Sequence, residues 1–149
     1  MSELLFLCQG FNVTLENRTG METVHLFSDK LEFSQLIINL LKNAIEAVPS
    51  ERQPAVRLIL SGDGGNAVIE IIDNGSGIPT EEMEKIFEPG HSTKKKGLGL
   101  GLPTVKRIVA FNAWDLRIHS TISSGTTMTV TMPLVSGSES NTKPAVETA

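Results

Sequence analysis

Only one cysteine, Cys8, occurs in the 149 residues, so no internal disulfide can form, and no Cys/His cluster has the spacing of a metal cage. That usage fits a reducing, cytosolic setting with Cys8 in a structural role. Positive charge is also short: 13 Lys and Arg face 17 Asp and Glu, for a net charge of −4. A surface that grips nucleic acid or an anionic membrane as a whole is thereby excluded, and any positive site has to be local. The opening MSELLFLCQG carries an apolar patch without the basic start of a signal peptide or the length of a membrane span. A sensor or membrane part is therefore expected outside this chain. Internal repeats are absent as well. What is present, 40% hydrophobic residues, suffices for one domain with a real core and is short for two.

Residues 1–10 read as a helix end, followed by candidate strands Asn12 to Leu15 and Thr23 to Phe27. From Asp29 the pattern sharpens. Phe33, Leu36, Ile37, Leu40, Leu41, Ala44, Ile45 and Val48 recur at helical spacings until Pro49, and Asp29 with Glu32 resembles a capping box. "AVRLIL" and "AVIEII", separated by "SGDGGN", predict a hairpin with a tight turn. "TEEMEKIF" predicts a short helix with Thr80 as its N-cap. Leu102, Val105, Ile108 and Val109 give the next helix an apolar face, with Pro103 in its first turn. "DLRIHSTI" and "TTMTVTMP" predict a second hairpin around Ser124 and Gly125. Residues 135–149 are polar without periodicity, which predicts a disordered tail or linker after a domain spanning 1–134.

Three stretches carry chemistry. In "NLLKNA", Asn39 and Asn43 stand four apart and share one helix face, and each costs about 0.6 kcal/mol of helix propensity relative to Ala. A side-chain amide oxygen is a hard, neutral ligand suited to Mg2+; an ordinary solvated face would satisfy the same pattern. In "IIDNGSGIP", Asp73 follows an Ile-rich strand, so its carboxylate is drawn inward and needs a donor such as the exocyclic amine of adenine. Gly75 and Gly77 would remove the Cβ atoms that keep a base from the backbone, although Asn-Gly after a strand also suits a hairpin turn. In "HSTKKKGLGLGLPTVKRIV", Lys94, Lys95 and Lys96 run into Gly97, Gly99 and Gly101 at a helix N-terminus, an anion site in which N–H groups and the dipole face the ligand. The spacing is neither GxGxxG nor a P-loop. A flexible surface loop is the alternative, and flexibility itself would serve a loop that folds over phosphates.

The order Asn-x-x-x-Asn-Ala, Asp-x-Gly-x-Gly after a strand, "IFEP", Gly-x-Gly-x-Gly and "GTT" before a closing strand resembles the catalytic ATP-binding domain of sensor histidine kinases, over about residues 10 to 134. That domain belongs to the GHKL superfamily, with DNA gyrase, the mismatch-repair MutL proteins and the heat-shock chaperone ATPases. "NAIEAV" and "HSTK" are most like the nitrogen-regulation type. The resemblance implies an α+β fold, the Bergerat two-layer α/β sandwich, with a mixed, mainly antiparallel sheet covered by helices on one face.

By the same resemblance, Asn43 would bind Mg2+, Asn39 would lie beside the phosphates, and Lys94 would contact them. Asp73 would read adenine, with Gly75, Gly77 and Ile78 shaping the base pocket. Phe87 would anchor the start of a lid ending in Gly97, Leu98, Gly99, Leu100 and Gly101, and Thr126 or Thr127 would sit under the adenine. ATP would be bound and ADP released. Hydrolytic members carry a glutamate four residues before the metal-binding Asn, where this chain has Asn39, so transfer to an external nucleophile is implied. His25, His91 and His119 lack the context of the family's phosphoacceptor histidine. The acceptor is expected on a separate dimerisation domain of the same full-length kinase, with a response regulator as indirect partner. This domain is expected to be monomeric and to touch neither nucleic acid nor membrane. The alternatives are a stand-alone serine kinase of the anti-sigma-factor type and an inactive nucleotide-binding scaffold. The chain departs from the family in Glu46, in Gly90 and His91, and in "NAWD", where Asn112 would replace a capping glycine and Trp114 is unexpected.

Overall fold

The computed structural model describes residues 12–20, 26, 28–91 and 99–134. Strand β1 (Asn12–Asn17) precedes helix α1 (Lys30–Glu46) and the hairpin of β2 (Ala55–Asp63) and β3 (Asn66–Asp73). Two 3-10 turns (Thr80–Glu82 and Lys85–Phe87), helix α2 (Gly101–Phe111) and a second hairpin of β4 (Asp115–Thr121) and β5 (Gly125–Pro133) complete it. The strands form one sheet in the order β1-β2-β3-β5-β4. β1 runs parallel to β2 and the remaining pairs are antiparallel, because a parallel neighbour needs a crossover and α1 supplies it.

Alternation along the central strands decides the layers. Ala67, Ile69 and Ile71 of β3 and Met128, Val130 and Met132 of β5 are buried and share one core with Leu36, Leu40 and Leu41 of α1 and Val105, Ile108 and Val109 of α2. Pairings such as Ile69 with Val130 and Ile71 with Met128 fix that face in register. The mixed, mainly antiparallel sheet with helices on one face is thus the architecture found. Removing one side chain from its centre, as in Leu40→Ala, costs about 2–5 kcal/mol by lost burial and an unfilled cavity.

Helix α1 starts where Asp29 Oδ1 accepts the N–H groups of Leu31 (2.8 Å) and Glu32 (3.0 Å). Glu32 reaches across to the far end of α2, 3.6 Å from Arg107 and 3.5 Å from the Asn112 amide, so the two helices run antiparallel. Residues 80–87 differ from expectation. Thr80 caps nothing: Pro79 holds the cap position with an extended backbone, and i→i+3 bonds such as Glu82 N–H to Pro79 O (2.9 Å) wind two separate 3-10 turns. A stretch this short does not offset the cost of an α-helical nucleus.

The end of α2 also differs. Asn112 keeps a φ of −87°, and Ala113 takes the left-handed conformation at φ +55°. Trp114 N–H bonds to Val109 O (2.9 Å) and Ala113 N–H to Ala110 O (3.2 Å), the two bonds of a Schellman cap with alanine in the glycine position. Trp114 explains the exchange, since it is buried and meets Phe33 of α1 edge-on, ring centres 6.4 Å apart.

β1 extends two residues beyond the expected Leu15. Of the strand expected at Thr23 to Phe27, Leu26 forms an isolated bridge to Leu134, and the rest lies outside the described residues, as do residues 1–10 and 135–149. No helix among the described residues is long and apolar enough to cross a membrane.

Candidate functional site

Asp73 ends β3 with its side chain on the helix-covered face, 7% exposed. Its Oδ1 accepts the N–H of Gly75 (2.7 Å) and of Thr126 (3.1 Å), so an otherwise costly buried carboxylate is held by backbone donors. The loop behind it is bonded from several elements. Ser76 N–H donates to Ala47 O at the end of α1 (3.0 Å), Ser123 N–H to Ser76 O (2.8 Å), and Ile78 N–H to the Ser120 hydroxyl of β4 (2.8 Å). Asn74 uses both amide atoms, accepting Ala55 N–H (2.8 Å) and donating to Gln53 O (3.0 Å), while Arg52 reaches Asn74 O (2.7 Å). No returning strand follows, so the hairpin alternative for Asn74-Gly75 falls away.

The glycines of this loop serve a purpose other than the one the sequence suggested. A Cβ on Gly75 would lie 2.8 Å from Ala47 O, and one on Gly77, at φ +74°, would lie 2.3 Å from Thr121 O. The chain's own backbone fills the space that a Cβ would need at these positions. Gly125 follows the same rule more severely, with a φ of +113° and only 2.0 Å between a built Cβ and Asp73 O.

On α1, Asn39 and Asn43 are half-buried and share a face. A methyl group on Gly101 would meet Asn39 Oδ1 at 3.6 Å, an ordinary contact, so this face abuts the start of α2. That start has no side-chain cap, Leu100 holds the cap position half-exposed, and Pro103 contributes no N–H. Among the described residues no group of three His, Cys, Asp or Glu could hold a metal. The amide oxygens on α1 fit a cation that takes its other ligands from phosphate and water.

Residues 88–91 and 99–101 close into a neck. Gly90 N–H bonds to Gly99 O (3.1 Å), and a Cβ on Gly99, at φ +65°, would lie 2.6 Å from both Gly90 C and His91 O. His91 Nε2 stands 2.7 Å from Glu82 Oε2. The Lys85 ammonium, hydrogen-bonded to Glu82, holds that carboxyl below its usual range. Phe87 is half-buried beside α2, with Lys106 Nζ 5.2 Å from its ring centre.

The residues named from the sequence fall into three groups. Asp73, Gly75, Gly77, Ile78 and Thr126 come together at the floor, where Thr126 is 4% exposed. Thr127 pairs with Ile72 and His119, and by strand alternation its side chain lies on the opposite face of the sheet. Asn39 and Asn43 lie on α1 with Gly101 against Asn39, Phe87 lies beside Lys106 of α2, and Gly99 and Leu100 precede that helix. Lys94, Gly97, Leu98 and His25 lie outside the described residues. Sequence reasoning missed the roles of Arg52 from the segment before β2, Asn74 within the loop, and Ser120 and Gly125 of the β4–β5 hairpin. A serine at an inward position of an otherwise alternating edge strand was the one available signal.

Residues 28–136 match the family described as histidine kinase-, DNA gyrase B-, and HSP90-like ATPase. Sporulation kinase C of Bacillus subtilis (strain 168) is 38% identical over 110 residues, 74% of this chain and 25% of that protein. Sporulation kinase B of the same organism is 34% identical over 122 residues, 82% of this chain and 28% of that protein. The chain therefore spans about a quarter of the length of these curated relatives. Among solved structures, the mycobacterial sensor histidine kinase MprB superposes with a TM-score of 0.74 at 25% identity, over 89% of this chain and 90% of that one.

Proposed function

This chain belongs to the family of histidine kinase-, DNA gyrase B- and HSP90-like ATPases, and from that membership we propose that it is the catalytic half of a sensor histidine kinase, which binds Mg-ATP and passes the γ-phosphate to a histidine on a separate dimerisation domain. The observation that carries the reading is the pairing of two sites on one rigid frame: a buried carboxylate, Asp73, beside Thr126, and two amides, Asn39 and Asn43, at the uncapped start of α2. In this reading Asp73 accepts the amine of adenine. Asn43 offers its amide oxygen to Mg2+, whose charge when bound neutralises the phosphate oxygens. Asn39 and the N–H groups at Gly101 face the phosphates, with Lys94 adding charge. Ile78, Phe87, Gly97, Leu98, Gly99 and Leu100 enclose the nucleotide.

An amide at position 39 has no proton-abstracting function, which favours transfer over hydrolysis. The acceptor histidine and the response regulator are partners of the full-length protein, and the domain works in the cytosol. Within the family, "NAIEAV" and "HSTK" favour the nitrogen-regulation type.

The test is calorimetric titration of ADP and a non-hydrolysable ATP analogue, with and without Mg2+, into wild type, Asp73→Ala and Asn43→Ala. Binding by wild type, its loss in Asp73→Ala and loss of Mg2+ dependence in Asn43→Ala are expected. Folded wild type that binds neither nucleotide would overturn the kinase reading. With the full-length protein and ATP, an acid-labile phosphoryl group is expected, and an acid-stable one would point to a serine kinase.

A further inference from the structure

Ser120 is half-buried on β4, the edge strand, and its hydroxyl joins three segments of the floor. Oγ accepts Ile78 N–H at 2.8 Å, lies 3.2 Å from Gly125 O and 2.9 Å from Thr126 Oγ1. Ile78 N–H can only donate and Gly125 O can only accept, while either hydroxyl can donate across the Ser120–Thr126 pair. With the Ser120 proton on Gly125 O, the Thr126 hydroxyl gives its proton to Ser120. Thr126 is also the residue whose backbone N–H holds Asp73 Oδ1 at 3.1 Å, so the two acceptors stand side by side.

We infer that Ser120 is a positioning residue for base recognition: by taking the Thr126 proton it leaves the floor beside Asp73 with side-chain acceptors only, a set that selects an exocyclic amine and rejects a carbonyl. Ser120 itself touches no base; it acts through Thr126 and through the Ile78 end of the loop. The inference rests on the proposed reading of Asp73 as the adenine contact. Without Ser120 the Thr126 hydroxyl turns freely and can donate to the 6-oxo group of guanine, so discrimination narrows.

The experiment is calorimetry of ADP and GDP with the full chain as wild type, Ser120→Ala, Ser120→Thr and Asp73→Asn, with melting temperatures alongside. Ser120→Ala is expected to reduce the ADP-to-GDP affinity ratio by about tenfold, the worth of one buried hydrogen bond. Ser120→Thr, which keeps the hydroxyl, is expected to restore it. A structural role alone would lower the melting temperature and leave the ratio unchanged, and that result overturns the inference. If Ser120→Ala does not fold, Ser120→Cys keeps the volume with a much weaker hydrogen-bonding group and decides the same comparison. Should Asp73→Asn leave ADP binding intact, the reading of Asp73 fails; should it weaken binding while Ser120→Ala keeps the ratio, only the role of Ser120 fails.

Discussion

The loop after β3 and the neck between residues 88–91 and 99–101 both depend on glycine, yet they are held in different ways. The loop is bonded to the end of α1, to the segment before β2, and to β4 and its turn, and the Cβ positions of its glycines are occupied by backbone. Across the neck, the bond between Gly90 and Gly99 and the close approach of Gly99 to His91 bring the two sides together. A base pocket benefits from such bracing because a preformed acceptor costs nothing to organise when ligand arrives.

The sharpest way to break the comparison is Gly125→Ala. Its left-handed φ and the 2.0 Å approach to Asp73 O predict a loss of about 3 kcal/mol or more, read as a fall in the urea midpoint. Gly64→Ala is the control, since open space surrounds a Cβ there and the expected cost is only about 1 kcal/mol for its φ of +54°. Asp73→Asn is next. An amide oxygen still accepts the two backbone N–H groups, so the fold is kept while ADP affinity falls about 100-fold, or about 2.7 kcal/mol. Gly99→Ala probes the neck: about tenfold weaker nucleotide binding is expected, and its φ of +65° with the 2.6 Å approach to Gly90 C and His91 O predicts a stability loss of about 2 kcal/mol, between those of Gly64→Ala and Gly125→Ala. An equal loss of stability in Gly99→Ala and Gly125→Ala would erase the distinction between the regions. The smallest effect is expected at Ala113→Gly, which relieves a left-handed alanine and should raise stability by about 0.5–1 kcal/mol without changing nucleotide affinity.

What the sequence made legible follows from which forces are local. α1, α2 and both hairpins were readable because apolar spacing, Asp29 and the Asp63-Gly64-Gly65-Asn66 turn act within a few residues of themselves. Residues 80–87 misled because helical composition does not reveal that Pro79 and the short length favour two 3-10 turns. Ala113 was illegible for a tertiary reason: Trp114 is drawn under α1, and the alanine adopts whatever φ that burial requires. Asp73 and the adjacent glycines stood out as a cluster, but the reason for the glycines did not, since Ala47 and Thr121 lie far away in sequence. Ser120 escaped for a related reason, since Ile78 reaches it from 42 residues away while Gly125 and Thr126 come from its own hairpin.

The carbonyl of Ala47 follows the last residue of α1 and receives both the N–H and, at 3.4 Å, the hydroxyl of Ser76. The helix that carries Asn39 and Asn43 is thus riveted by its main chain to the loop that carries Asp73. The span from one recognition element to the other works as a calliper locked at one opening, which side-chain substitutions leave in place. Such a device tolerates changes in what each jaw prefers, but it measures every ligand against the same length.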